Sequence, residues 1–258
     1  MPFDLQSHCE LGQHQLMEMR YLEAERTLAQ AEQVAWEARD FDTLSRLYMP
    51  LQEARRQRRQ RCGEGIVCLD LISEGPDDRM EGRHVVEHFP HGQLLVAGWG
   101  SIEPALRVRE LQAEHGLYVE TFLAAAYPVD PEGKARVVVI VPSAEVRLPQ
   151  PRPQPIDALL PQLPPHCIVL AEAELPRGSR RGTWQTYAEV MAMWERLHAP
   201  FLAVADMEAD ALRKIEGYRK VIRVDYASEL AHQKLADAAR ERVRGKPEDE
   251  RSESPDGA

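Results

Sequence analysis

Ile66-Val67-Cys68-Leu69-Asp70-Leu71 is the stretch at which the hydrophobic period of this chain changes. Upstream, apolar residues recur at three- and four-residue spacing. Here they run almost unbroken, as in a buried strand, and Gly75-Pro76-Asp77-Asp78 closes the run with turn chemistry. Working outward toward the carboxyl end, residues 84–89 and 93–97 flank Pro90-His91-Gly92 and read as a hairpin. Residues 101–115 carry the helical pattern, with Leu106, Val108 and Leu111 apolar and Gly116 placed to cap the end. Residues 118–125 and 136–141 read as strands around Asp130-Pro131-Glu132-Gly133, and 167–171 as a further inner strand. Strand, helix and strand in succession predict a βαβ unit, and hence an α/β fold with a mixed sheet and flanking helices. Five prolines between Pro149 and Pro161 mark an extended crossing segment.

On the amino-terminal side, Leu11 and Gly12 are followed by Tyr21, Ala24, Leu28 and Ala31, the skeleton of one helix-turn-helix unit. This pattern resembles a tetratricopeptide repeat over residues 5–61. The resemblance implies that Gly12, Ala24 and Ala31 let two antiparallel helices approach closely while Tyr21 and Leu28 fill the seam. His8 stands where that family has its first aromatic, and Trp36 where it has its closing proline. Residues 42–61 supply one more helix, and Pro50 predicts a kink or break near Tyr48, because proline lacks a donor and clashes with the preceding turn. A repeat array needs about three units to bury its own core, so these helices must dock on the rest of the chain.

Beyond the crossing segment, residues 183–197 read as a helix with Tyr187, Val190, Met191, Trp194 and Leu197 on one face, and 211–243 as one long helix or two. The terminal helices are expected to pack against each other or against one sheet face. The organisation that follows is a tetratricopeptide-like helical segment over 1–62, an α/β mixed-sheet domain over 63–180, carboxyl-terminal helices over 181–243 packing on that domain, and a tail over 244–258. The tail is rich in Pro, Glu, Asp and Ser and is expected to be disordered, since it has no apolar anchor to offset the entropy of ordering.

Composition narrows the function classes. With 43% hydrophobic residues in 258, the chain can bury a substantial core, and its net charge of −10 disfavours general affinity for nucleic acid. The longest apolar run, 137–141, is too short to span a bilayer, and the chain begins without signal-peptide features, so a cytoplasmic protein is expected. Cys9, Cys62, Cys68 and Cys167 are scattered, as reduced thiols are, with no spacing for a disulfide framework or zinc knuckle. The densest positive run, Arg55, Arg56, Arg58, Arg59 and Arg61, reads first as a solvated helix end and second as a phosphate contact.

Two loops make the case for a small-molecule site. Gly98-Trp99-Gly100-Ser101 follows an apolar strand and opens a helix, and Arg177-Gly178-Ser179-Arg180-Arg181-Gly182-Thr183 stands between the strand at Cys167 and the next helix. If both strands run parallel, Gly98, Gly100, Ser101, Arg177, Ser179, Arg180 and Arg181 meet at one sheet edge and suit a phosphate or carboxylate. The structural alternative is that tight strand-to-helix turns use glycine and serine anyway. Glu195-x-x-His198 and Glu229-x-x-His232 repeat a spacing that shares a helix face, as metal ligands do, but Glu229 and His232 read better as partners in interhelical hydrogen bonds; no metal and no cofactor is expected. His84 and His88 fall on one face of the expected strand without a third ligand. Asp77 and Asp78 are acid-base candidates that turn chemistry explains equally well, and the sequence assigns no catalytic residue. The expected function is a protein-interaction or adaptor role. A protein partner would be gripped by the amino-terminal helices, with Arg20, Arg39 and Arg46 as exposed polar contacts and His8 and Gln15 on the inner face. The rival is a ligand-binding module or enzyme that takes a small anion around Ser101 and Arg180.

Overall fold

The computed structural model describes residues 4–245. The chain divides into two compact units, one built from the chain up to Gln57 and again from Phe201 onward, the other from Arg58–Pro200. The borders expected at residues 62 and 180 thus give way to a division in which the two ends of the chain share a unit.

The first unit is helical: α1 (Leu5–Met17), α2 (Tyr21–Glu37), the opening of α3 (Phe41–Glu64), the end of α7 (Trp184–Met207), α8 (Ala211–Val224) and α9 (Glu229–Arg244). Its first two turns are alike. Met19 and Arg39 adopt left-handed backbone (φ 60° and 54°), and the following amides, of Arg20 and Asp40, bond back to Gln15 and Ala35 carbonyls at 2.9 Å. Gly12 lets α1 approach α2: a Cβ there would lie 2.5 Å from Leu28 Cγ. Ala24, Leu28 and Ala31 are fully buried.

Of the kink or break expected near Tyr48, the break does not occur, and α3 runs on through Pro50. An interior proline costs about 3 kcal/mol, but Leu47, Tyr48 and Leu51 around it are buried, and each contributes roughly 1.5–3 kcal/mol if the turn stays intact. Burial wins. The core joins Leu28, Leu44, Tyr48 and Leu51 to Ile215 and Ile222 of α8 and Leu235 of α9. Residues 211–243 are therefore two helices that pack on α2 and α3, which corrects their assignment to the α/β domain. Glu32 ties the same elements by accepting from Tyr48 Oη (2.6 Å) and Arg219 Nε (2.8 Å).

The second unit holds β1 (Ile66–Ile72), α4 (Gly82–His88), β2 (Gly92–Trp99), α5 (Glu103–His115), β3 (Val119–Pro128), β4 (Arg136–Ile140), α6 (Ile156–Leu159), β5 (Ile168–Ala171) and β6 (Arg180–Arg181), with the end of α3 and the start of α7. The strands form one sheet in the order β5-β4-β3-β2-β1-β6, and β1, β2 and β3 are parallel. The mixed sheet with flanking helices is as read from the sequence, and Gly116 caps α5 in the left-handed conformation (φ 61°).

Three local readings are corrected. Residues 84–89 are not a hairpin strand: residues 82–88 form α4, the crossover that parallel β1 and β2 require, and adjacent Val85 and Val86 are both buried, which strand alternation forbids against one face. His84 and His88 are accordingly helical neighbours, with the His88 ring bonded to the His84 carbonyl (2.9 Å). The strand after Cys167 is an edge, paired only with β4. The tail expected over 244–258 lies, beyond Arg244 and Gly245, outside the described residues.

One sheet face carries Leu94, Val96, Leu123, Ala125 and Val139 and packs on Val85 and Val86 of α4 and Ala105, Val108 and Leu111 of α5. The other carries a charge. Glu120 of β3, in register with Gln93 of β2, is buried and accepts Arg59 of α3 on Oε1 (2.8 and 2.6 Å) and Gln93 Nε2 on Oε2 (2.7 Å). Arg59 also lies 5.0 Å over the Trp194 ring of α7, and Trp194 stacks on Phe122 at 4.2 Å.

Removing one member of a buried pair leaves a charge without compensation, at a cost of about 3–5 kcal/mol, whereas replacing both with apolar groups can be neutral. Glu120→Ala is expected to destabilise the second unit by that amount, and Arg59→Met with Glu120→Leu to recover most of it. Urea unfolding followed by tryptophan fluorescence measures both. A double variant no better than Glu120→Ala contradicts the assignment.

Candidate functional site

The described residues form a concave surface in each unit. In the first, α1 and α3 leave a groove of ≈ 110 Å³ between Gln6, Cys9, Glu10 and Gln13 on one side and Thr43, Arg46, Leu47 and Pro50 on the other, floored by Leu28. The spacing of 6, 9, 10 and 13 is one helix face, as is that of 43, 46, 47 and 50. Among the expected protein-binding residues only Arg46 lines the groove, and its guanidinium also pairs with Asp42 (2.7 Å). His8 bonds the Asp4 carbonyl (2.8 Å), Arg20 pairs with Glu18 (2.9 Å) at the first turn, Arg39 is exposed in the second turn, and Gln15 is buried. Sequence reading missed the α1 residues because nothing local says which face of α1 meets α3.

In the second unit a larger cleft of ≈ 770 Å³ opens at the carboxyl ends of β1 and β2, where open α/β sheets bind ligands. Its walls come from the loop after β1 (Pro76, Asp78, Arg79, Met80), from the start of α4 (Gly82, Arg83), from the turn after β2 (Gly98, Trp99, Ser101) and from α5 (Pro104, Leu106, Arg107). Asp78, one of the acid-base candidates, lines it, and its carboxylate is occupied in accepting from the Glu74 amide (2.8 Å); Asp77 is exposed beside it.

The two candidate loops do not meet as expected. β5 does run parallel to β2, since both antiparallel steps intervene, but the chain after it forms β6, antiparallel to β1, with Arg180 opposite Val67 and Arg181 opposite Ile66. Val67 pairs with Gln93, so Arg180 stands at the amino-terminal end of the strands while Ser101 follows their carboxyl end, roughly 20 Å away along β2. Arg180 pairs with Glu189 (2.8 Å), Arg181 is exposed, and Arg177 pairs with Glu172 (3.1 Å). Ser179 is exposed next to Gly178, whose amide donates to Asp70 (2.7 Å).

The Gly98–Ser101 turn spends two of its backbone donors within the chain. The Gly100 amide bonds the Ala126 carbonyl (2.9 Å), Ser101 Oγ accepts from the Glu103 amide (3.1 Å), and Pro104 has no amide hydrogen. Gly100 is required by its left-handed φ of 59° and by Pro151, which a Cβ would meet at 2.5 Å. Turn geometry accounts for this sequence; an anion cradle is not formed there.

The arginine run from Arg55 to Arg61 divides: Arg56 and Arg61 are solvated and pair locally on the helix, whereas Arg55 and Arg59 are tied into the packed interior. Arg55 meets Glu25 (3.4 Å) and His232 Nε2 (3.0 Å), Arg56 meets Glu53 (2.7 Å), Arg59 meets Glu120, and Arg61 meets Glu64 (3.1 Å). His232 Nδ1 faces the Ser228 carbonyl (2.7 Å), which it can only donate to, so Nε2 is the acceptor for Arg55. Glu229 accepts from Gln52 at 3.5 Å. Both residues of that motif thus bond across to α3, as read from the sequence. Glu195 and His198 belong to the other unit, and no group of three ligating side chains is assembled among the described residues. No described helix is long and apolar enough to cross a membrane.

Comparison with protein-family models, with curated proteins and with solved structures returns no match. Residue chemistry alone therefore bears on function.

Cys68 and Cys167 are not activated. Burial, joined by a bond to Asp70, pushes the Cys68 thiol up to about 11, and burial pushes Cys167 to about 11 as well. At pH 8 that leaves about two orders of magnitude fewer thiolates than in an unfolded chain. Native protein is expected to release the chromophore of a disulfide reagent at these two positions far more slowly than urea-unfolded protein, with peptide mapping to identify the sites. Equal rates at Cys68 in both states would contradict the burial described.

Proposed function

We propose that this chain is a cytoplasmic protein-interaction component whose amino-terminal helices, resembling a tetratricopeptide hairpin with one further helix, take a polypeptide segment in the groove between α1 and α3. The observation that carries this reading is that α8 and α9 cover α2 and α3 while a groove stays open on the α1 side. Its volume of ≈ 110 Å³ is well under the roughly 300–1,000 Å³ of small-molecule pockets and suits one inserted side chain of a longer partner. Leu28, Leu47 and Pro50 supply the apolar floor, and Gln6, Gln13, Thr43 and Arg46 a polar rim, the anatomy of a small peptide interface.

A photo-crosslinking amino acid at Gln13 of the full chain is expected to trap a protein partner. The Arg46→Glu variant should weaken that partner's affinity about tenfold or more, roughly 1.4 kcal/mol, mostly through dissociation. Arg26→Glu, on the exposed side of α2, should leave it unchanged. Equal affinity for the wild type and Arg46→Glu rejects the groove as the binding surface.

A further inference from the structure

We infer that the cleft of the second unit is a separate binding site for a small organic anion, one that carries a phosphate or carboxylate on an apolar body. The inference does not depend on the groove of the first unit. Its size is the first argument: ≈ 770 Å³ falls within the range of ligand sites, far more than a single side chain needs. Position is the second. The cleft lies outside the carboxyl ends of adjacent parallel strands, between the loops that lead into α4 and α5, and Tyr127 Oη bonded to the Pro149 carbonyl (3.1 Å) and Pro151 seated against Gly100 put the crossing segment beside β2 and β3 rather than over β1.

Charge is the third argument, and it depends on which groups are already committed. Asp78 holds the Glu74 amide and Glu110 holds Arg107 (2.8 Å), while Glu81 is exposed to solvent. Glu103 occupies the first turn of α5, where the helix dipole favours a carboxylate. Arg79 and Arg83 are exposed and make no ion pair or hydrogen bond within the described residues. Among the described residues of the lining, the cations without a carboxylate partner are thus two guanidiniums, whose forked geometry matches an oxyanion. Met80, Pro104 and Leu106 provide the apolar wall beside them, which a bare inorganic ion would leave unused.

Isothermal titration of the full chain with adenosine 5′-monophosphate, glucose 6-phosphate and 4-phenylbutyrate, and with inorganic phosphate as the bare anion, tests this. At least one organic probe is expected to bind saturably, one per chain and at least tenfold more tightly than inorganic phosphate. Arg79→Ala with Arg83→Ala, both exposed and harmless to folding, should weaken that probe at least tenfold. Met80→Ala should narrow its advantage over inorganic phosphate, and Arg196→Ala, an exposed arginine on α7 at the opposite sheet face from α4 and α5, should change nothing. The inference is overturned if no organic probe binds saturably. It is equally overturned if inorganic phosphate binds as well as they do, or if the double arginine variant binds like the wild type.

Discussion

A buried carboxylate near the amino-terminal end of a largely apolar sheet face constrains how the second unit can be built. Glu120 sits between strands whose neighbouring positions on that face are Leu95, Phe122 and Ala124, and it is buried. An isolated charge there would cost several kcal/mol, so the face is stable only with a cation placed against it. Arg59 is that cation, and its place on α3 fixes which side of the helix meets the sheet. Gln93 takes the second carboxylate oxygen and Trp194 covers the guanidinium, so one ion pair aligns β2, β3, α3 and α7. Such a pair adds little net stability over apolar packing. Its effect is on register and orientation, since any other docking leaves Glu120 unpaired.

The helical unit uses the same device. Glu32 takes Tyr48 and Arg219 together, and Arg219 lies 4.1 Å over Trp36, so α8 is oriented on α2 and α3 by a partly buried charge as well as by apolar burial. Burial, with Glu32 beside it, holds the Tyr48 hydroxyl well above the usual phenol range, which keeps it a donor. Arg55 reaches Glu25 and His232 in the same way. An arginine-rich helix in an acidic chain is in this protein a set of structural ties. Among the arginines without such a tie, Arg79 and Arg83 are the two that line the cleft of the second unit.

The two concave surfaces differ in kind because of what walls them. The groove of the first unit is lined by helix faces that already share a core, so it is shallow and admits side chains. The cleft of the second is lined by the loops that leave the sheet, where backbone must diverge from strand to helix and leaves space between α4 and α5. Gly82 brings those helices close at one point, where a Cβ would stand 2.9 Å from Arg107 Cγ, and the cleft opens beside that contact.

Local signals in the sequence determined the α/β class, the strands read at 66–71, 118–125 and 136–141, which the structure places at 66–72, 119–128 and 136–140, the helix read at 101–115 with its glycine cap, and the close approach at Gly12, because each rests on apolar periodicity or on a backbone conformation that a single residue type dictates. The cleft was legible as the turn at Gly98 and Ser101 and as Asp78 in the loop after β1, while Arg79 and Arg83 were not singled out, with residues 84–89 read as a strand. Tertiary structure alone decided that residues 82–88 are a crossover helix, that Arg180 pairs at the far end of β1, that α3 continues through Pro50, and that the first and last helices share a core. The reason is physical. Periodicity states which face of an element is apolar or charged, whereas its partner, 61 residues away for Arg59 and Glu120 and 177 for Arg55 and His232, is set by the burial and pairing of the whole chain at once.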